Sequence, residues 1–240
     1  MPPEGLPRPE EAWVGPVADT PENRMPVIDR DVAFTGRVWS VVRDRVVIGE
    51  HESVRDVQVH PGAVAVIALD DDDNVLLIRQ YRHPVAMHLF EPPAGLLDVP
   101  GEHALVTAQR ELAEEAGVQA DRWDVLVDLF NSPGGSSEAI RVYLAQGLSA
   151  LPGGRPHTGE AEEVHLPQAW VPLEEAVSLV LSGAIGSPSA VAGILALQAA
   201  RSRGEGDLRP GDSPWRSREW LKSSARVSLT PETGHDPQES

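Results

Sequence analysis

No cysteine occurs among the 240 residues, which excludes disulfides and every thiolate-based metal or redox site. Apolar runs approaching membrane-spanning length are missing too, and the chain opens without a signal-peptide pattern. A soluble, cytoplasmic protein with no membrane partner is therefore expected. Basic residues are scarce: 20 Lys and Arg stand against 37 Asp and Glu, a net charge of −17. Such a chain repels a polyphosphate backbone, so no nucleic-acid partner is expected. A small anionic substrate remains compatible if a metal ion or a few arginines reverse the field inside one pocket.

What is present fits one globular domain with trimmings, since 41% of the residues are hydrophobic and the length suffices for a full core. Residues 1–25 carry six prolines among acidic residues, a composition too poor in apolar surface to offset ordering entropy, and read as an arm. Residues 204–240 have a similar composition and read as a flexible tail, with Trp215 and Trp220 as candidate docking points. No internal repeat is visible.

Between these arms, Val38–Val42 and Val46–Ile48 flank Arg43-Asp44-Arg45, and Val57 and Val59 alternate with polar residues. This suggests a small antiparallel subsheet over residues 26–59. Ala63–Leu69 and Val75–Arg79 surround the acidic turn Asp70–Asn74 and open the main domain, residues 60–203. A helix is predicted over His103–Ala116, with Gly117 suited to the left-handed cap. Alternation at Trp123, Val125, Val127 and Leu129, then apolar Ala139–Ala145 and Val164–Val171, gives three more strands. Helices over Leu173–Ser182 and Ala190–Arg201 close the domain, the latter after Ser187-Pro188, a cap followed by a favoured first-turn proline. Mixed strands with helices on both sides indicate an α/β fold, an α/β/α sandwich around a mixed sheet.

Chemistry concentrates in Gly95–Glu102 and, after seven further residues, Arg110-Glu111-Leu112-Ala113-Glu114-Glu115-Ala116-Gly117-Val118. On a helix, Glu111 and Glu115 stand four apart and Glu114 three from Glu111, so their carboxylates converge while Ala108 and Leu112 turn to the core. Repelling carboxylates on one face need solvent or a cation. Mg²⁺ is the natural cation, being hard, partial to carboxylate oxygens and commonly shared with substrate phosphates; Mn²⁺ is a possible substitute. Arg110, four before Glu114, can hold that carboxylate in place.

Glycine, glutamate, Arg-Glu, a hydrophobe, Glu-Glu and glycine at these intervals resemble the Nudix box, a phosphate-handling loop–helix–loop. One departure is plain: Gly95 and Glu102 are separated by six residues where the usual box has five. Outside the box, Ile78-Arg79-Gln80-Tyr81-Arg82, then Phe90-Glu91-Pro92-Pro93-Ala94-Gly95, and Pro133 fifteen residues after Val118, resemble the ADP-ribose pyrophosphatase branch of that family. The resemblance runs from about Val38 to Arg201.

That resemblance implies Mg²⁺-dependent hydrolysis of the pyrophosphate of ADP-ribose to AMP and ribose 5-phosphate. It implies metal ligation by Glu111, Glu114, Glu115, the backbone carbonyl of Ala94 and Glu162, with Glu102 as a further carboxylate of the box. Substrate contacts are expected at Arg79, Arg82, Glu91, Pro133, Gly134 and Glu138. Relatives place another catalytic or metal-binding glutamate in the loop holding Glu160, Glu162 and Glu163; Glu162 or Glu163 is preferred, with Glu114 a third catalytic candidate. A homodimer built on the N-terminal strands is also implied. Alternatives are another nucleoside-diphosphate sugar or dinucleotide as substrate, or a non-catalytic Nudix sensor of such a ligand, which the intact glutamates oppose. The histidines, His60 among them, lack ligand-like spacing and are read as structural or surface residues.

Overall fold

The computed structural model describes residues 16–20, 25–156 and 166–224. Three strands come first: β1 (Val27–Thr35), β2 (Ser40–Ile48) and β3 (His51–Val59), joined antiparallel in sequence order. The expected subsheet is present, with a correction. Arg43-Asp44-Arg45 does not interrupt a strand but lies in the middle of β2. Register explains why: Asp44 stands opposite Arg30 of β1 and forms an ion pair with it, and Arg43 stands opposite Asp56 of β3 with an Nε–Oδ1 distance of 2.7 Å. Opposite charges placed directly across a ladder support it. The same charges hid β1 from a reading based on apolar alternation.

The main domain is built on β4 (Ala63–Ala68), β5 (Asn74–Arg82), β6 (Met87–Glu91), β7 (Ala94–Leu96), β8 (Val118–Phe130), β9 (Ala139–Ala150), β10 (Gln168–Pro172) and β11 (Arg209–Pro210). One sheet runs β11-β8-β9-β4-β7 and another β10-β5-β6. The turn between β4 and β5 is the acidic one expected. Asp70 Oδ1 accepts from the backbone N–H groups of Asp72 (3.0 Å) and Asn74 (2.7 Å), an Asx-type closure. Beyond the single bridge Leu69–Val75 the two strands diverge into different sheets.

β4 and β9 pair in parallel while the other pairs of the five-stranded sheet described are antiparallel, which makes it mixed. β4 is buried on both faces, so it reads as an unbroken apolar run. Ala65 and Ile67 belong to one core cluster together with residues of α2 (Leu173–Leu181) and α3 (Pro188–Arg203). Val64, Val66 and Ala68 belong to the other, with Ala108 and Leu112 of α1 (Ala104–Ala116). Helix, sheet and helix thus form the expected sandwich.

Within the stretch expected from Gly204 onward to be a flexible tail, the described residues form structure. β11 pairs with β8, α4 (Arg216–Ser224) follows, and Trp215 is buried in the α1-side core. Arg141, buried in β9, donates to the carbonyls of Ser213 (2.6 Å) and Pro214 (3.2 Å), and its guanidinium lies 4.8 Å from the Trp215 ring centroid. A Pro- and Gly-rich composition concealed this strap because one tryptophan and backbone carbonyls do the anchoring. Of the expected N-terminal arm, residues 16–20 and Met25 are described, exposed and outside any strand or helix.

Candidate active site

Helix α1 starts at His103, whose Nδ1 accepts from the N–H of Leu105 (3.3 Å), and ends at Gly117 in the left-handed region (φ 70°). Its buried stripe contains Ala108 and Leu112, as spacing predicted, but also Ala116, Glu111 and Glu115. Both carboxylates are pressed against β7. The backbone N–H of Ala94 donates to Glu115 Oε2 at 2.8 Å. Gly95 leaves room for Glu111: a Cβ there would stand 2.0 Å from Glu111 Oε1. The glycine is therefore required by the close approach of a carboxylate to backbone.

Arg110 serves more than the single partner expected. Its Nη1 donates to Glu111 Oε1 (2.8 Å) and Glu114 Oε2 (2.9 Å), and its Nη2 to Glu102 Oε2 (3.3 Å). Burial lowers the basicity of this guanidinium, but Glu111, Glu102 and Glu114 together raise it beyond the ordinary arginine value. The extra loop residue does not detach Glu102. The chain bends through Val99–Gly101, and Glu102 Oε2 accepts from Thr107 Oγ1 at 2.7 Å. Partial burial pushes the Glu102 carboxyl up, while Thr107 and Arg110 pull it down, and the net effect is a lowered pKa.

Beside β7 lies a cleft of about 400 Å³ bordered by Ala94, Gly95, Arg82, Glu91, Glu138 and His60. Arg82 Nε donates to Glu91 Oε2 (2.6 Å), and Ser187 Oγ donates to the other oxygen, Oε1 (2.8 Å). Ser187 is the residue before α3, as expected, but its hydroxyl serves Glu91 instead of capping the helix. Arg79 is elsewhere. Side chains three apart in a strand point to opposite faces, and the exposed Arg79 is not among the residues lining the cleft. Pro133 and Gly134 sit in an exposed turn outside it, whose Gly135 carbonyl accepts from the N–H of Gln58 (2.8 Å). The candidates Glu160, Glu162 and Glu163 lie outside the described residues. Among the described residues, no three Asp, Glu or His side chains converge into a metal cage.

The fit for a hard cation rests on the donor set that does converge: two buried carboxylates, Glu111 and Glu115, on one helix face, and a side-chain-free cradle at Gly95. His60, read from sequence as structural, belongs to the cleft. Its ring is nearly buried, and Nε2 stands 3.8 Å from Glu138 Oε1. The parallel register of β4 and β9, Ala63 opposite Ile140, brings the residues preceding both strands together. No spacing in the sequence carries that signal.

The family model described as NUDIX domain matches residues 59–191. The chain belongs to the Nudix family. Its Nudix helix is α1, and its Nudix loop is the segment that places Gly95 beneath Glu111. Among similar proteins, one named ADP-ribose pyrophosphatase from Mycobacterium tuberculosis is 44% identical over 195 residues, covering 81% of this chain and 92% of the relative. Another of the same name from Bacillus subtilis is 36% identical over 156 residues, 65% of this chain and 82% of that one. A crystal structure titled as an ADP compounds hydrolase superposes with a TM-score of 0.63 at 23% identity, covering 87% of this chain and all of the other. That likeness shows a shared fold.

Proposed function

We propose that this Nudix protein hydrolyses the pyrophosphate of ADP-ribose to AMP and ribose 5-phosphate, using Mg²⁺, with Mn²⁺ as a substitute. The observation that carries the reading is the pairing of buried Glu111 and Glu115 with a cleft containing Arg82 and Glu91. The names of relatives that this chain covers over most of their length support the choice of substrate.

In this reading Glu111, Glu115, the carbonyl of Ala94 and Glu162 hold the metal. The cation would neutralise the diphosphate and lower the pKa of the attacking water. Water oxygen bonds to one phosphorus, the bridging P–O bond breaks, and the departing phosphate takes the electron pair. Glu162 or Glu163 accepts the water's proton; Glu114, hydrogen-bonded to Arg110, is the remaining candidate. Arg82 uses Nε on Glu91, which orients its terminal fork for a bidentate phosphate contact. Gly134 and Pro133 form the turn that leads to Glu138, while Arg79, on the opposite strand face, is given no part in this cleft. We assign the enzyme to the cytoplasm.

The same reading includes a homodimer through β1–β3. Val32 and Phe34 of β1 are 62% and 54% exposed, and Val54 of β3 is 56% exposed. Exposed apolar side chains of this size on a three-stranded sheet that is marginal alone support pairing with a second copy.

The test is turnover of ADP-ribose by the purified chain with AMP and ribose 5-phosphate identified as products. Activity with Mg²⁺ or Mn²⁺ that disappears in excess EDTA is expected; unchanged turnover in EDTA contradicts the metal mechanism.

A further inference from the structure

The C-terminal strap leaves one edge of the five-stranded sheet at β11 and reaches the other, where β7 ends. It crosses on the α1 side, where Trp215 packs in the core cluster that includes Leu97. At the far edge Arg218 of α4 meets two loops. Its Nη2 donates to the carbonyl of Pro61 at 3.0 Å and, at a longer 3.5 Å, to that of Leu97. Leu97 directly follows β7, and its N–H donates to the Gly62 carbonyl at 3.0 Å. One guanidinium thus ties the link between β3 and β4 to the exit of β7. Gly62, in the left-handed region at φ 88°, permits the approach: a Cβ there would stand 3.0 Å from the Ala139 carbonyl oxygen and 3.4 Å from Arg218 Nε.

Stability alone does not account for this contact. Burial lowers the Arg218 pKa, and no carboxylate among the described residues offsets it. Its Nε is buried without a hydrogen-bond partner among the described residues. The Trp215 ring, 5.8 Å from the guanidinium, compensates only in part. A buried cation with neither a counter-ion nor a full set of acceptors opposes folding.

What the guanidinium reaches is the strand that serves the metal. β7 has three residues and lies at the edge of its sheet, paired with β4 through Leu96–Ala63, Gly95–Val64 and Ala94–Ala65. So short an edge segment is prone to open locally. A shift of β7 along β4 would withdraw the Ala94 N–H from Glu115 and close the space that Gly95 leaves for Glu111.

We propose that Arg218 is a positioning residue for the metal site: from the strap it fixes the exit of β7, and so sets where Ala94 and Gly95 stand against Glu111 and Glu115. This rests on the functional reading above. It gives a part in the reaction to a helix beyond residues 59–191, the segment matched to the family.

Two full-length variants test it. Arg218→Met keeps the length of the side chain and its packing but has no donor; Arg218→Lys keeps the charge and a donor. Calorimetric titration with Mn²⁺ in the absence of substrate should show affinity about three- to tenfold weaker in Arg218→Met, in line with a partly transmitted loss of one charge-assisted hydrogen bond. Hydrogen exchange at the Leu97 amide should accelerate by a similar factor while the β8–β9 ladder keeps its parental rates. With ADP-ribose, kcat at fixed Mg²⁺ should fall about three- to tenfold, KM should stay within about twofold, and Arg218→Lys should recover part of each loss. Parental Mn²⁺ affinity in Arg218→Met, or exchange accelerated equally at Leu97 and across the β8–β9 ladder, overturns the positioning role and leaves the hydrolase reading intact. Should Arg218→Met not fold, Arg218→Lys decides: its single donor should still leave Mn²⁺ affinity and Leu97 protection below parental, and parental values in both overturn the role. A parent that hydrolyses no ADP-ribose overturns the hydrolase reading alone, and a parent that binds no Mn²⁺ overturns both.

Discussion

Gly95 and Glu111, sixteen residues apart, occupy one small space: a Cβ on the former would lie 2.0 Å from Oε1 of the latter and 2.1 Å from its Cδ. Gly95→Ala must move either the carboxylate or β7, which also supplies the Ala94 N–H to Glu115. Overpacking of this kind costs about 1–3 kcal/mol. Urea unfolding should register that loss, and kcat should fall at least about tenfold because a displaced ligand no longer stabilises the transition state. A variant with parental stability and turnover would show that Glu111 is free to reposition.

Glu115→Gln keeps the shape of the side chain and removes its charge. The amide can still accept from the Ala94 N–H through Oε1, so the fold should survive while kcat drops by about two orders of magnitude or more. Calorimetric titration with Mn²⁺ checks the cause. Unaltered metal affinity in this variant would assign Glu115 to holding β7 alone.

Trp215 anchors the C-terminal strap between two cations, with Arg141 4.8 Å and Arg218 5.8 Å from its ring centroid. Arg218 also donates to the carbonyl of Pro61 at 3.0 Å, next to His60. Trp215→Ala should cost about 3–5 kcal/mol in urea or guanidinium unfolding. A midpoint within error of the parent's would mean that the strap adds nothing to the domain.

His60 provides a pH dependence whose sign follows from burial. Its folded-state pKa is lowered, so below the ordinary imidazole value of about 6.5 the unfolded chain binds more protons than the folded one. Stability contributed by the neutral buried ring is full above that value and is lost as pH falls from it toward the lowered pKa. The parent should therefore lose more stability than His60→Asn between pH 7 and pH 5.5, and its imidazole resonances should titrate below the free value. A folded-state midpoint above 6.5 would reverse the sign.

Much of this was legible in the sequence. The helix of the box declared itself by period and by Gly117, and the α1 stripe of Ala108 and Leu112 follows from spacing alone. The acidic turn at Asp70–Asn74 was equally local. What escaped was made by pairing between distant segments. β1 and the middle of β2 look like charged turns until Arg30 meets Asp44 across the ladder. The strap looks like a tail until Arg141 takes the carbonyls of Ser213 and Pro214. Arg82 and Arg79 look equivalent in sequence, and only strand alternation separates the cleft residue from its neighbour. His60 and Glu138 are joined by a parallel register that no local pattern encodes.

Substrate preference tests the account most directly. At equal Mg²⁺, kcat/KM should be measured for ADP-ribose, GDP-mannose, NADH and 8-oxo-dGTP, then repeated with Arg82→Ala. All four share the metal chemistry, so the ranking reports recognition in the cleft that holds Arg82, Glu91, His60 and Glu138. ADP-ribose should lead, and Arg82→Ala should lower its kcat/KM by about tenfold or more, as expected for loss of a charge-assisted contact. Another substrate ahead by about tenfold, a difference of about 1.4 kcal/mol in transition-state stabilisation, would contradict the ADP-ribose assignment.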